Sequence, residues 1–561
     1  MAPGAPDHGA AARAPASGGP APARPAWLET GVPNLDRVLG GGLSRGTVAM
    51  VVGPPGSGKT ILGQQVAFHC ARRGGVALYL TGYSETHDRL LAHSRGLAFF
   101  APELLGTRVQ LGSLPDFLAQ GAAAAEDAVV ATARAQRAAL VVLDGFRSIR
   151  RLFADDLEAA RFLYSLGAKL ALLGATLLVL EEGDAEDHRR DPEQTVCDAI
   201  LALRRERRGG RHRRLLEALK VRGAAPLEGV HPFAIDAHGI TVYPRFEAVV
   251  PAAEPVPPLG PVAGREPWTG GRAGFGIADL DALLGGGLTA GTTTLCAGSP
   301  GAGRTLLGLH FLAAGARAGE SGLFLGFMES AAQLRAKARA FGLDLDGTEA
   351  AGRIELLVLP ACDLEADRAA WLLREAVERR SVRRLVVDSA IELQRGLLAP
   401  ERAPEFFAAL AAYLRGRDVT TYLTIDIPIF VGPELSFADT PLWVVAENLL
   451  LLRQVEYRGQ LRRLVSVLKM RFSDYDRTVR EFTVTEGQGI RVVGPAPPAE
   501  GLLTGLARPW PPWPPWPPAA RGEAAGETGL TGPAGPAGPR GSSAPTAPSA
   551  PPPAPWGPNE E

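Results

Sequence analysis

The chain has 561 residues, which at roughly 100 to 200 residues per domain exceeds one compact domain and fits three or four domains, or two large ones with tails. Its 59 basic and 60 acidic residues leave a formal net charge of -1, which excludes the chain-wide basic excess of a nucleic-acid coat protein but leaves local patches open. Only five of the cations are lysine, so arginine clusters are weighed against a compositional bias, and Cys70, Cys197, Cys296 and Cys362 lie far apart and form no CxxC pair, so neither a zinc knuckle nor a disulfide framework is implied.

Residues 1–26 are rich in Pro, Ala and Gly and are expected to be disordered. They contain no signal-peptide core, and no run of 18 apolar residues occurs anywhere, so a soluble cytoplasmic protein without a membrane partner is expected. A first α/β domain is predicted over 27–247. Its apolar strand TVAMVV runs into Gly53, Pro54, Pro55, Gly56, Ser57, Gly58, Lys59 and Thr60, and the helical ILGQQVAFHCARR follows, the order that a phosphate-binding loop requires. In such a loop Gly56 and Gly58 let backbone N–H groups converge on phosphates at a helix N-terminus. Lys59 reaches the β and γ oxygens, and the Thr60 hydroxyl ligates Mg²⁺.

Glu85, beyond the strand VALYLTG, is placed to orient an attacking water. Asp144 ends the apolar strand AALVVLD, where a carboxylate behind a phosphate loop holds the water shell of Mg²⁺. Glu181 and Glu182 end ATLLVLEE and are candidate sensors of a γ-phosphate. RRERRGGRHRR, 204–214, lies between the apolar DAILAL and LLEALKV and reads as the tip of a β-hairpin. Its seven arginines suit DNA phosphates or an acidic partner; a solvated tip is the simpler reading.

A Pro-rich linker is expected over 248–271 and a second α/β domain over 272–494. Segment 31–60 aligns without gaps on 276–305 at a constant offset of 245, with half of the thirty positions identical. Each copy continues by alternating helical and strand patterns, which predicts two tandem domains with mainly parallel sheets and helices on both faces. The second loop reads Gly298, Ser299, Pro300, Gly301, Ala302, Gly303, Arg304 and Thr305. Arg304 keeps the charge of a loop lysine but is larger and planar, so nucleotide binding is expected and hydrolysis is not. Thr305 and Asp388 form the second set of expected Mg²⁺ ligands. Residues 495–561 are Pro/Gly-rich and expected to be disordered, with docking of a signalling partner through Trp510, Trp513 and Trp516 as the alternative. Gly recurs at every third position from Gly526 to Gly541, too short a run for a collagen helix.

Both halves, over about residues 28–494, resemble the KaiC family of RecA-like ATPases. The resemblance rests on the GGGL lead-ins (Gly40 to Leu43, Gly285 to Leu288), the phosphate loops, FMES at 327–330, VVDS at 386–389, VEYRG at 455–459, and the Lys-x-Arg strands ALKVRG (218–223) and VLKMRF (467–472). It implies two tandem RecA-like P-loop NTPase domains that use ATP and Mg²⁺ and assemble as a nucleotide-bridged homo-hexamer. In that assembly Lys220 and Arg222 reach the neighbour's first-domain γ-phosphate, and Lys469 and Arg471 the second. Read alone, each pair is two cations on one face of a strand. The second domain departs from the family: Arg304 stands in the loop, Met328-Glu329 replaces paired glutamates, and Trp443-Val444 aligns with the clock protein's Ser-Thr autophosphorylation pair. The expectation is a regulatory switch in signalling with an active first domain and a second that retains nucleotide at Glu329, Asp388 and the loop, without autokinase activity. The alternatives are a RecA- or RadA-like ATPase dependent on single-stranded DNA in recombination or repair, and a structural nucleotide-bound scaffold if Glu85 is not catalytic.

Overall fold

A computed structural model describes residues 27–83, 87–183, 192–208, 211–250, 271–427, 441–502 and 508–509. The expectations for residues 1–26, Glu85, most of the linker, and Trp510, Trp513 and Trp516 fall outside the described residues.

In the first half the strands of the main sheet are β1 (Val48–Gly53), β2 (Ala77–Thr81), β3 (Val109–Ser113), β4 (Leu140–Asp144), β5 (Thr176–Glu182), β6 (Ala199–Arg208), β7 (Arg211–Val221), β8 (Val230–Asp236) and β9 (Gly239–Val242). They form one sheet in the order β9-β8-β7-β6-β1-β5-β4-β2-β3. Pairings from β6 through β1 to β3 are parallel, and β6 to β9 are antiparallel. The expected parallel sheet therefore carries an antiparallel wing beside its phosphate-loop strand. β1 is buried at all six positions because both faces are covered, which explains its unbroken apolar run. Val48, Met50 and Val52 pack on one side with helices α2 (Ala122–Gln136) and α3 (Asp156–Leu172), while Ala49 and Val51 pack on the other with α1 (Lys59–Arg72).

The second half repeats this plan with strands β10 (Thr293–Gly298), β11 (Gly322–Gly326), β12 (Ile354–Val358), β13 (Arg384–Asp388), β14 (Thr420–Asp426), β15 (Asn448–Tyr457), β16 (Gln460–Met470), β17 (Arg480–Thr485) and β18 (Gly489–Pro495). Read from its antiparallel edge the order is β18-β17-β16-β15-β10-β14-β13-β11-β12, strand for strand that of the first sheet. Among the described residues no helix is long and apolar enough to cross a membrane.

The halves meet through the short helix α4 (Phe246–Val249). Phe246 is fully buried in the second half's core, its ring 6.3 Å from Phe406 and 5.8 Å from Tyr413. Arg402, just before helix α6 (Ala403–Gly416), bonds the Glu247 carboxylate at 2.8 and 3.0 Å and Asp367, on α5 (Ala366–Arg380), at 2.9 and 3.0 Å. Asp367 also accepts the Phe246 backbone N–H at 3.0 Å, and Trp371 Nε1 donates to Pro244 O at 2.7 Å. The boundary expected at 247 thus falls inside an element that the second half buries.

The arginine-rich hairpin forms, with Arg208 opposite Arg211. It is not a wholly solvated tip: Arg204 pairs with Glu217 at 2.7 Å, and Arg213 Nη2 donates to Leu364 O of the second half at 3.2 Å.

Candidate nucleotide site

β1 ends at Gly53, where a Cβ would stand 2.6 Å from Leu203 O, so only glycine lets the loop leave against β6. Gly58, at φ +111°, turns the chain into α1, which begins at Lys59 and presents its free N–H groups at the loop. Ser57 Oγ is buried inside the loop with no hydrogen-bond partner among the described residues, and Ser299 Oγ repeats this in the second loop. An orphaned polar atom within a helix-terminal cradle of glycines fits an anion of phosphate size.

Lys59 Nζ donates to Gly53 O at 2.7 Å and Pro54 O at 3.0 Å. Burial pulls its pKa down from the ordinary lysine value, and Glu182 and Asp144 pull the other way. Thr60 Oγ1 lies 3.4 Å from Asp144 Oδ1, so the two residues expected to hold Mg²⁺ meet at the helix start. Tyr79, on β2, donates its hydroxyl to Asp144 Oδ2 at 2.7 Å.

Strand alternation separates the two glutamates of β5. Glu182 faces Gly53 in register and shares the α1 side with Leu180, whereas Glu181 faces Val52 on the opposite side, 2 % exposed and 4.0 Å from Arg150 Nη1. Only Glu182 shares the phosphate loop's face. Arg205, one of the seven arginines of 204–214, lies beside the loop: a Cβ on Gly56 would be 3.2 Å from its Nη1.

The second site has the same frame and different chemistry. Arg304 donates to Gly298 O, to Ile425 O at 2.7 Å and to the Asp426 carboxylate. Asp426 faces Gly298 in register as Glu182 faces Gly53. Thr305 Oγ1 donates to Asp388 Oδ2 at 2.7 Å, and Thr424 donates to Asp388 Oδ1. Where the first loop has Arg205, the second has neutral Gln454, whose Nε2 donates to Gly301 O at 3.0 Å. Glu329 is bonded to Lys337 Nζ at 2.5 Å, and Val444, 78 % exposed, offers no acceptor oxygen. Thr81 faces Asp144 in register and Gly326 faces Asp388, so Glu329 lies three residues past that point and Glu85 four.

The Lys-x-Arg strands are not brought to their own loops. Lys220 sits opposite Ile200, at the far end of the β6–β7 hairpin from Arg205, and donates to Thr195 O at 3.3 Å; Arg222 Nη1 reaches Asp198 Oδ1 at 3.4 Å. Lys469, opposite Leu449, donates to Ala446 O at 2.7 Å, and burial lowers its pKa; Arg471 is exposed.

A family model described as "ATPase: KaiC" matches residues 28–98, 121–247 and 273–496. The chain is 26 % identical over 470 residues to the circadian clock oscillator protein KaiC of Rippkaea orientalis, covering 82 % of this chain and 87 % of that protein. It is also 26 % identical over 491 residues to the circadian clock protein KaiC3 of Synechocystis, covering 85 % and 94 %. Two loops on two sheets of one strand order, each backed by a strand-end aspartate, account for a match that spans both halves: the chain belongs to the KaiC ATPase family.

Proposed function

We propose that the first domain binds and hydrolyses Mg-ATP, that the second mainly retains nucleotide, and that the chain works as a ring-forming regulatory switch. The observation that carries the asymmetry is the loop cation. Lys59 rests on two loop carbonyls that phosphate oxygens can displace it from, whereas Arg304 is already paired with a carboxylate.

In the first site the N–H groups that open α1 cradle the phosphates, and Lys59 places its charge on the terminal ones. Thr60 and Asp144 are the residues that would hold Mg²⁺, whose charge, when bound, neutralises phosphate oxygens. Glu182, on the loop face, is placed to sense the terminal phosphate, and Glu85 is assigned to orienting the attacking water. Lys220 and Arg222 are assigned to the neighbouring subunit's site in a homo-hexamer, since their own loop lies at the other end of the hairpin. Lys469 and Arg471 take the same part in the second ring. The DNA-dependent reading loses support from the hairpin, where Arg204 and Arg213 are already engaged.

The test is phosphate release by the full chain and its Lys59→Ala variant, with and without single-stranded DNA. Turnover that falls to background in the variant and ignores DNA is expected. Strong stimulation by DNA would favour the motor, and no turnover in the parent chain the scaffold.

A further inference from the structure

Each strand-end aspartate keeps one oxygen toward the loop hydroxyl and the other bonded to a second buried hydroxyl, and the two domains obtain that second hydroxyl from different strands. In the first domain it is Tyr79, 1 % exposed, on β2. Tyr79 faces Val142 of β4 in register; Phe324 of β11 faces Val386 of β13, so the matching residue of the second domain is a phenylalanine. There the hydroxyl comes from Thr424, fully buried on β14 and facing Cys296. The first-domain residue at that register, facing Val51, is Leu180. The pairs are thus Tyr79 with Leu180 and Phe324 with Thr424: one hydroxyl each, on opposite neighbours of the aspartate's strand.

The room for this exchange comes from α1. A Cβ on Gly63 would stand 2.5 Å from Leu180 Cδ1 and 3.4 Å from the Tyr79 hydroxyl, so the glycine lets both side chains fill the space beneath the loop. A carboxylate at a strand end can rotate about its last bond. A buried hydroxyl on one oxygen fixes that rotation and leaves the other oxygen aimed at the helix start.

We infer that Tyr79 is a positioning residue of the first site, holding Asp144 so that its Oδ1 faces Thr60, and that Thr424 does the same for Asp388. The inference rests on the reading that Thr60 and Asp144 serve Mg-ATP. Loss of an outer hydrogen bond of this kind weakens metal-supported binding by roughly tenfold.

The experiment titrates a fluorescent ATP analogue onto the full chain in Mg²⁺ and in EDTA, with Thr305→Ala in the second loop so that Mg²⁺ dependence reports the first site. Tyr79→Phe is expected to cut the gain in affinity from Mg²⁺ by roughly tenfold while leaving the EDTA affinity unchanged. Adding Leu180→Thr, which supplies the hydroxyl from the strand the second domain uses, is expected to recover most of that gain. An undiminished gain in Tyr79→Phe overturns the role. So does an equal loss in Mg²⁺ and EDTA, or a loss that the second hydroxyl leaves untouched, since either assigns the effect to packing. A Tyr79 parent whose affinity ignores Mg²⁺ overturns the nucleotide-site reading itself and the positioning role with it.

Discussion

Arg304, the first residue of the helix that follows its loop, is bonded to Asp426 at the end of β14, at the positions that Lys59 and Glu182 occupy in the first domain. The pair holds a planar cation against the floor of the loop, where it also caps two backbone carbonyls. Removing the carboxylate frees the cation and removes a negative charge that repels phosphates. In a Lys59→Ala background, Asp426→Ala should therefore tighten nucleotide binding at the second site by roughly tenfold without adding turnover, as the charge-assisted bond is released to the ligand. Equilibrium binding and phosphate release on the same sample test both halves of that statement; unchanged or weaker binding would show that Arg304 is not restrained by Asp426.

The placement of Lys220 and Arg222 away from their own loop predicts complementation. Arg222→Ala should lower turnover at least tenfold with little effect on melting temperature, because Arg222 is 60 % exposed and its contact to Asp198 is long. Mixed one to one with Lys59→Ala subunits, about a quarter of head-to-tail interfaces regain an intact pair, so activity should reappear. Two inactive variants that stay inactive on mixing would place both residues outside a shared site. Light scattering with a non-hydrolysable analogue should show the sixfold mass.

Acid should destabilise the fold through two buried histidines. His231 Nδ1 accepts the Arg245 backbone N–H and His310 Nε2 accepts that of Ile490, both at 3.1 Å, and each ring must be neutral to do so. Burial pushes both pKa values from 6.5 to about 4, with Arg245 and Arg402 adding at His231 and Arg317 at His310. The unfolded chain takes up these protons below its pKa of 6.5 and the folded chain only near 4. Their contribution is therefore complete above pH 6.5 and is lost as pH falls toward 4, at up to about 1.4 kcal/mol per pH unit for each ring. Melting temperature should drop between pH 7 and 5, and His310→Gln, which still accepts the N–H, should flatten the slope. A profile that stays level over that window would contradict the burial argument.

The junction between the halves predicts an unequal pair of variants. Arg402→Ala leaves the buried Asp367 without its cation and Glu247 with only Arg245 at 3.7 Å, and should cost about 3 to 5 kcal/mol. Phe246→Ala opens a cavity in the second core at a similar cost of about 3 to 5 kcal/mol. Calorimetry should separate them. Loss of the salt bridge lowers one cooperative transition, whereas loss of the ring uncouples it into two; unchanged single transitions in both would show that the contact is not structural.

The repeat, both loops, the strand-end aspartates and the arginine-rich hairpin were legible in the sequence because each is a local pattern of apolar run, glycine and charge. What was not legible depends on strand order. Tyr79 and Thr424 serve equivalent aspartates only because β2 and β5 flank β4 as β11 and β14 flank β13. Arg205 looked like one more member of an arginine run, and only the pairing of β6 with β1 brings it beside Gly56. Glu181 and Glu182 read alike until the pleat put them on opposite faces. Glu247 and Arg402 are 155 residues apart, beyond the reach of any local pattern.

The burial of Phe246 alters what the segment from 251 to 270 has to accomplish. A tether between two modules ordinarily sets their effective concentration, and its length tunes how often they meet. Here attachment is made before residue 251, at a folded seam of aromatic rings and a bidentate arginine. Doubling a flexible connection costs only about 0.6 kcal/mol in closure entropy, small beside that seam. A chain cut between residues 250 and 271 should therefore persist as a non-covalent heterodimer of its own two halves.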